Sequence, residues 1–140
     1  TGHLEANIEV IGPGWIHTTD LASVDADGFV KIHGRGDGAI IRGGFKILPE
    51  TVRRVLLSHP AVRDACVVGV ADRRLGEVPF AAVELRPRAS TPSEADLKDW
   101  VRASLPSHHV PVGIRVVDEL PRNAAMKVRP GDVAALYDQR

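Results

Sequence analysis

The first third of the chain has short runs of apolar residues separated by turn-forming residues. Asp27-Gly28 lies between two such runs, at residues 21–24 and 29–32. Asp-Gly between apolar runs is a strong hairpin signal, because glycine readily accepts a positive φ in the turn. The pattern therefore predicts a β-hairpin over residues 15–33.

From residue 49 onward the apolar spacing changes to that of helices. Residues 49–59 repeat apolar side chains at i, i+3 and i+4 behind a first-turn proline. Residues 93–106 do so behind a Ser-x-x-Asp sequence that resembles a capping box. A third, short helix is predicted over residues 130–137.

Three mostly apolar runs lie between these helices and predict strands, at residues 65–71, 80–85 and 114–117. The order hairpin, helix, two strands, helix, strand, loop, helix is typical of an α+β fold. We expect a small sheet of about three strands, covered by helices and preceded by the hairpin.

A glycine-rich segment, residues 34–38, separates the hairpin from the helices. Three glycines in five residues disfavour a helix or strand interior, so a domain boundary is expected there, with residues 1–34 before it and 35–140 after it. The segment reads either as a structural loop or as a hinge. A dinucleotide-binding loop fails on context, since no long hydrophobic strand precedes the segment and no helix begins on it.

Composition narrows the classes of partner. The 18 basic and 18 acidic side chains cancel, and no basic stripe interleaves with aromatic residues, so nucleic acid is not an expected partner. No apolar stretch approaches the roughly 18 residues needed to cross a bilayer, so no transmembrane segment is expected.

The cysteine and histidine content argues against redox and metal sites. The single cysteine, Cys66, excludes an intrachain disulfide, and its apolar neighbours predict a small buried residue in a strand, without special reactivity. The adjacent His108 and His109 would point to opposite faces of an extended segment, so no protein-bound metal is expected.

Residues 120–129 place Lys127 in a loop of small residues. A bare lysine is most often a solvated surface residue, but an ammonium positioned next to a reacting phosphate stabilises the charge that develops on its oxygens. The segment Leu-Pro-Arg-Asn-Ala-Ala-Met-Lys-Val resembles the motif Leu-Pro-[Arg/Lys]-Thr-x-x-Gly-Lys-[Val/Ile] of the acyl-adenylate-forming enzymes, which include acyl-CoA synthetases. Met126 replaces the usual glycine of that motif, and Asn123 replaces the threonine.

Two earlier segments extend the resemblance. Residues 14–20 follow the family motif Gly-Trp-x-x-Thr-Gly-Asp except at Thr19, which implies that Asp20 accepts hydrogen bonds from the ribose hydroxyls of ATP. Gly-Arg-x-Asp is the family's hinge motif and is matched at residues 34–37. The resemblance implies that Arg35 supports the ribose and that Asp37 is the hinge.

A third segment, Gly43-Gly44-Phe45, resembles the stretch that family members bring against the phosphopantetheine arm of CoA. Glycine suits a place where the backbone must approach a ligand closely. The glycine pair favours the CoA ligase branch over the adenylation domains of peptide synthetases. His108-His109 stands where relatives often carry Tyr-Lys, which leaves the contact to the CoA phosphate open.

The resemblance implies the C-terminal part of an ATP-dependent carboxylic acid:CoA ligase, with a fatty acid as the expected substrate. Lys127 would serve acyl-adenylate formation, after which a rotation about Asp37 would bring Gly43 and Gly44 to the CoA thiol. ATP, Mg²⁺ and CoA are the implied cofactors, with Mg²⁺ held mainly by a large N-terminal domain. Residues 1–34 would be the end of that domain, and the fragment is expected to be inactive alone.

Two alternatives from other classes stay open. One is an adenylation domain that loads a carrier protein, and the other is a non-enzymatic α+β interaction module. The first residues carry no basic region followed by an apolar run, so a cytoplasmic location is expected, peripheral to membranes if the acid is long-chain, and a homodimer stays open. The identity of the acid is not predicted, because no residue of the acid pocket is expected in this chain.

Overall fold

The computed structural model describes residues 20–24, 26–35 and 38–139. The chain divides into two compact units, Thr1–Ala39 and Ile40–Arg140. The division follows the glycine-rich segment, while the assignment of the first unit to the end of a larger domain stays a prediction.

The first unit contains the predicted hairpin. Strand β1, Asp20–Val24, pairs antiparallel with strand β2, Val30–Arg35. The turn between them includes Gly28 at a φ of +84°, the conformation that the Asp-Gly signal requires. The predicted residues 15–19 lie outside the described part of the chain.

Strand β2 extends into the glycine-rich segment, which corrects the expectation that residues 34–38 lie outside strands. Leu21 pairs with Gly34 while Ala22 pairs with Ile32, so the register shifts by one residue. Such a shift is a β-bulge, and glycine inside a strand often marks one because it adapts to the local bend. The segment is therefore a strand end as well as a connection.

The second unit combines a sheet with three helices in the residues described. Its strands are β3 Ile40–Arg42, β4 Phe45–Ile47, β5 Val62–Asp72, β6 Gly76–Leu85 and β7 Gly113–Val117. Its helices are α1 Pro49–Leu57, α2 Glu94–Arg102 and α3 Pro130–Tyr137, with a 3₁₀ turn at Ser107–His109. β6 is the central strand: β5 pairs with it antiparallel, β7 pairs with it parallel, and β3 joins it at Gly76.

The α+β fold is confirmed, and the sheet has five strands where about three were expected. The additional strands form the short hairpin β3–β4, in which each strand has three residues. A run of three residues is too short for an alternating pattern to stand out in the sequence. This hairpin carries Gly43 and Gly44 in its turn.

The helix starts agree with the sequence, while two ends come earlier than expected, the first of them in α1, which ends at Leu57 and not at His59. Ser93 forms the predicted capping box with Asp96, each accepting one backbone N–H of the other. Helix α2 ends at Arg102 and not at Pro106. The intervening residues still form a hydrogen-bonded turn, in which the amide of Leu105 donates to the carbonyl of Val101 at 2.9 Å.

The sheet is buried on both faces, because helices α1 and α2 cover one face and α3 covers the other. Alternate residues of β6 belong to the two core clusters: Ala81 and Val83 pack with α1 and α2, whereas Phe80 and Ala82 pack with α3. A strand buried on both faces has no polar side to expose. This explains why residues 80–85 form a nearly continuous apolar run.

Cys66 lies in β5 as predicted but is half-buried, which corrects the expectation of full burial. Burial, followed by the nearby charge of Asp64, raises the pKa of its thiol to about 11. Such a thiol is protonated near neutral pH and is a poor nucleophile. In the part of the chain that the structure describes, every helix is too short or too polar to cross a bilayer.

Candidate functional site

Lys127 lies in a tight loop that joins β7 to α3. Arg122 and Val128 form an isolated antiparallel bridge across the base of this loop. The amide of Arg129 donates to the carbonyl of Pro121 at 2.8 Å and closes the base from outside. Residues 122–128, called the Lys127 loop below, therefore form a small hairpin with a defined shape.

Asn123 organises the interior of the Lys127 loop. Its side-chain oxygen accepts the amides of Ala125 at 2.9 Å and of Lys127 at 3.1 Å. Its own amide donates to the Lys127 carbonyl, and its carbonyl accepts from Met126, both at 2.9 Å. This is the ordinary action of asparagine in a turn, where its side chain replaces a missing backbone partner. The residue noted in the sequence as a substitute for threonine thus fixes the backbone around Lys127.

Met126 occupies the position at which the acyl-adenylate-forming motif has glycine. Its φ is +63°, in the left-handed region, and its side chain is 68% exposed. A residue with a Cβ adopts this conformation at a cost of roughly 1–2 kcal/mol. The loop therefore takes a shape that suits glycine even though methionine is present.

The Lys127 side chain is exposed, and its ammonium has no ion-pair or hydrogen-bond partner among the residues described. The backbone that carries it is fixed by both its N–H and its C=O. An ammonium on a fixed backbone can be presented to an outside anion with little ordering of the loop.

The base of the loop is held by charged side chains from the sheet. Arg122 Nη2 lies 2.8 Å from Asp64 Oδ2, and the hydrogen bond to Asp64 raises the pKa of the guanidinium. Burial alone would raise the pKa of Asp64, but hydrogen bonds from Arg122, the Ala65 amide and Arg53 hold that pKa below its usual value. Both groups therefore stay ionised at neutral pH.

The turn of the β3–β4 hairpin is the second candidate feature. Gly43 has a φ of +54° and Gly44 a φ of +90°, and the Gly43 amide donates to the Leu75 carbonyl at 2.8 Å. A Cβ added at Gly43 would lie 3.1 Å from Leu75 Cδ2, whereas one added at Gly44 would meet nothing within 4 Å. Both glycines suit the backbone conformation, and Gly43 in addition suits a close approach.

Phe45 connects this turn to the histidine pair. Its ring is 57% exposed and stacks on His108 with the centroids 4.3 Å apart and the planes 17° from parallel. Arg42 Nη1 donates to the carbonyls of His108 and Val110, each at 3.1 Å. Residues 42–45 and 107–110 therefore form one continuous surface.

The two histidine rings lie side by side, which corrects the expectation that they point to opposite faces. Their centroids are 4.4 Å apart, because Ser107–His109 is a 3₁₀ turn and not an extended segment. Burial, followed by the charge of His108, lowers the pKa of His109. Its Nδ1 is buried without a hydrogen-bond partner in the described residues.

The residues predicted to contact ribose fall in the first unit. Asp20 and Arg35 are direct cross-strand partners in the hairpin β1–β2, so their α-carbons are neighbours. Asp20 and Arg35 were predicted from two different sequence motifs, and the strand register places them opposite each other. Asp37, the predicted hinge, lies outside the described residues.

A model of the family described as AMP-binding enzyme C-terminal domain matches residues 52–127. A 2-succinylbenzoate–CoA ligase from Geobacillus kaustophilus is 44% identical over 124 residues, which cover 89% of this chain and 25% of that protein. The chain thus spans about a quarter of the length of the curated relatives that it matches.

Solved structures of larger enzymes contain a region that is similar to most of this chain. The amide bond synthetase McbA from Marinactinospora thermotolerans has a TM-score of 0.78 and 32% identity, with 92% of this chain and 26% of that chain covered. A double mutant of o-succinylbenzoate CoA synthetase (MenE) from Bacillus subtilis, bound with its product analogue OSB-NCoA, has a TM-score of 0.73 and 37% identity. The likeness covers 89% of this chain and 25% of that chain.

Proposed function

The chain belongs to the family of AMP-binding enzyme C-terminal domains, and from that premise we propose that it is the C-terminal domain of an ATP-dependent carboxylic acid:CoA ligase. The observation that carries the proposal is the Lys127 loop: Asn123 fixes its backbone, and the Lys127 ammonium has no ion-pair or hydrogen-bond partner in the described part of the chain. The CoA ligase relatives support CoA as the acceptor.

Lys127 acts in the first of two steps. The acid carboxylate attacks the α-phosphorus of ATP, the bond to the β-phosphate oxygen breaks, and acyl adenylate and pyrophosphate are formed. During this attack the negatively charged oxygens of the carboxylate and of the α-phosphate come close together and repel each other. A lysine is a compact cation on a flexible stem, so its ammonium can lie between those oxygens and lower the barrier.

The β3–β4 turn acts in the second step. The CoA thiol, as thiolate, attacks the acyl carbonyl, the bond to the adenylate oxygen breaks, and AMP leaves. Gly43 and Gly44 expose backbone without side chains, which leaves room for the narrow pantetheine arm, and Phe45 offers an exposed ring beside it. A rotation at Asp37 exchanges the two loops, since one site must serve two different transition states.

Asp20 and Arg35 contact the ATP ribose in this proposal. Their places directly opposite each other in β1 and β2 support a joint role, because paired positions of an antiparallel sheet are neighbours. Mg²⁺ does not fit the residues described, among which no group of three or more His, Cys, Asp or Glu could hold a metal ion. We therefore assign no step to Mg²⁺ on this chain.

The substrate is proposed from the relatives, because the chain covers a quarter of their length. The CoA ligases compared above are named for 2-succinylbenzoate and not for a fatty acid, so neither the expected fatty acid nor a membrane-peripheral location that depends on a long-chain acid is supported. We propose 2-succinylbenzoate as the first acid to test, since a ligase 44% identical to this chain is named for it. A homodimer stays a prediction.

The test uses the intact ligase and measures the two half-reactions separately. Lys127→Ala should lower acid-dependent ATP–pyrophosphate exchange by about 10²–10³-fold, while thioester formation from supplied acyl adenylate stays near the original rate. Lys98→Ala is the matched control, because Lys98 is engaged by Glu94 and the Val112 carbonyl and lies outside the proposed site. Equal loss of both half-reactions in Lys127→Ala would refute the role of Lys127.

A second candidate differs only in the acceptor. One similar structure, at a TM-score of 0.78, is named an amide bond synthetase, and this name suggests an amine as the acceptor in place of the CoA thiol. Offering CoA, a holo carrier protein or a simple amine to the preformed acyl adenylate separates these acceptors. Rapid transfer to CoA supports the ligase, and transfer to only one of the others would replace it.

A further inference from the structure

A single arginine joins the sheet to the Lys127 loop. Arg122 Nη2 lies 2.8 Å from Asp64 Oδ2 and 3.3 Å from Glu84 Oε1. Its other terminal nitrogen, Nη1, donates to the carbonyl of Met126 at 3.3 Å. That carbonyl belongs to the peptide group directly before Lys127. One guanidinium therefore connects two neighbouring strands to the backbone that carries the lysine.

Glu84 fixes the start of the same segment. Its side chain is 1% exposed and lies in β6, the strand paired with both β5 and β7. Its Oε1 accepts the Leu120 amide at 2.6 Å, and its Oε2 accepts from Arg63 Nη2 at 3.1 Å. A carboxylate buried in a central strand moves little. It is therefore a fixed reference point for the backbone that leads into the loop.

Further arginines surround the same carboxylates. Arg53 Nη2 lies 3.0 Å from Asp64 Oδ1, and its Nη1 lies 3.2 Å from Glu50 Oε1. Glu50 is also approached by Arg54 at 3.9 Å, so four arginines lie against the three carboxylates of the cluster. Buried ion pairs are weak evidence for stability, because the loss of hydration offsets much of the attraction. Removing one partner still costs stability, but stability alone does not explain why Arg122 also reaches the Met126 carbonyl, which orientation of the loop does explain.

We propose that Arg122 is a positioning residue for acyl-adenylate formation, which uses the carboxylates of Asp64 and Glu84 as anchors to orient the Met126–Lys127 peptide. The inference rests on the function proposed above. Arg122 itself does not touch the substrate in this scheme. It acts through the left-handed conformation of Met126, which sets the direction in which the Lys127 side chain leaves the loop.

The shape of the arginine side chain matters for this role. Its planar fork carries separate N–H groups for the carboxylates and for the Met126 carbonyl. A lysine at the same position would supply a positive charge to Asp64 and Glu84, but its one nitrogen lacks the fork that also reaches the carbonyl. Arg122→Lys therefore keeps the positive charge beside Asp64 and Glu84 but removes the hydrogen bond that orients the Lys127 loop.

The experiment measures both half-reactions of the intact ligase carrying Arg122→Lys. We expect kcat for ATP–pyrophosphate exchange to fall about 10–100-fold with KM for ATP and acid nearly unchanged, because orientation is lost and ground-state binding is not. Thioester formation from supplied acyl adenylate should match the wild type. The matched control is Arg53→Lys, which changes the other arginine on Asp64 and leaves the Lys127 loop untouched.

A second measurement follows the loop without using activity. The amides of Asn123, Ala125, Met126, Lys127 and Arg129 are all hydrogen-bonded. Arg122→Lys should speed hydrogen exchange in the peptide covering residues 121–129 and leave β5 and β6 protected. If Arg122→Lys does not fold, Asp64→Asn serves the same test, since it removes the charge of the nearest anchor at constant shape.

The outcomes distinguish this inference from the proposed function. Normal adenylation in Arg122→Lys, with adenylation lost in Lys127→Ala, would overturn the positioning role and leave the ligase intact. Normal adenylation in both variants would overturn the proposed function. Equal loss of both half-reactions in Arg122→Lys and in Arg53→Lys would show a structural effect and overturn the positioning role as well.

Discussion

The Lys127 loop and the β3–β4 turn are both short and exposed, yet different interactions fix their shapes. The Lys127 loop is fixed by side chains, with Asn123 inside it and Arg122 at its base. The β3–β4 turn is fixed by its backbone, with two glycines at positive φ and an amide bonded to the Leu75 carbonyl. Ionised groups fix the base of the Lys127 loop itself, whereas beside the β3–β4 turn they make bonds at strand β3 and not at the two glycines of the turn.

The difference matches the tasks proposed for the two loops. A loop that delivers a cation needs a fixed backbone with a free side chain, which neighbouring side chains can provide. A turn that borders a ligand needs an empty surface, and glycine provides it by having no Cβ. The comparison predicts that pH and charge act on the Lys127 loop, while steric changes act on the β3–β4 turn.

The largest expected effect comes from Asp64. Asp64→Asn in the 140-residue chain should lower the free energy of urea unfolding at pH 7 by about 1–3 kcal/mol, the usual value of hydrogen bonds to a charged group. The pKa of Asp64 is lower in the folded chain than in the unfolded one. Its stabilisation is therefore complete above about pH 4 and is lost as the pH falls through the folded-state pKa.

The measurement is urea unfolding of the wild type and of Asp64→Asn, at pH 7 and at a series of lower pH values. The difference between wild type and Asp64→Asn should shrink as the pH falls through the lowered folded-state pKa of Asp64, because its carboxylate then takes up a proton and loses its charge. Asp72 and Asp96 also have lowered pKa values, from backbone hydrogen bonds, so some acid sensitivity should persist in Asp64→Asn. A constant difference across pH would contradict a charge-based anchor.

An intermediate effect is expected at the β3–β4 turn. Gly43→Ala places a Cβ 3.1 Å from Leu75 Cδ2 on a backbone with positive φ, so the 140-residue chain should lose about 1–2 kcal/mol of unfolding free energy. In the intact ligase the thioester step should slow and adenylation should not. Gly131→Ala is the control, since a Cβ there meets nothing within 4 Å. Slower adenylation with normal thioester formation would reverse the assignment of the two loops.

The smallest expected effect is at Met126. Met126→Gly should stabilise the 140-residue chain by about 0.5 kcal/mol, because relief of the left-handed strain exceeds the entropy that glycine adds to the unfolded state. Thermal or urea unfolding measures the gain. Met126→Ala keeps the Cβ and should show no gain. A gain of the same size in Met126→Ala would mean that the side chain, and not the backbone, is the source.

Much of the fold could be predicted because its signals are local. The Asp27-Gly28 turn, the Ser93 capping box and the proline at the start of α1 each act within a few residues, and each lies where the sequence places it. The β3–β4 hairpin was missed for the converse reason. Its strands have three residues each, and β3 joins the rest of the sheet through the pairing of Arg42 with Gly76, 34 positions later in the chain.

The candidate site divides in the same way. Lys127, Gly43 and Gly44 were predicted because each belongs to a short motif of adjacent residues that can be recognised in the sequence. Asp64 and Glu84 had no such signal. Asp64 is 58 positions from Arg122 in the chain and meets it only because β5 passes under the Lys127 loop.

The sequence by itself determined the element types, the α+β class and the identity of the candidate lysine, because periodicity, caps and motifs are properties of neighbouring residues. The tertiary structure decided which charges meet, how His108 stacks on Phe45 and how Met126 comes to adopt a conformation suited to glycine. These depend on strand register and loop closure, which bring together residues that the chain separates. The orientation of Lys127 is a property of the fold, although its presence is a property of the sequence.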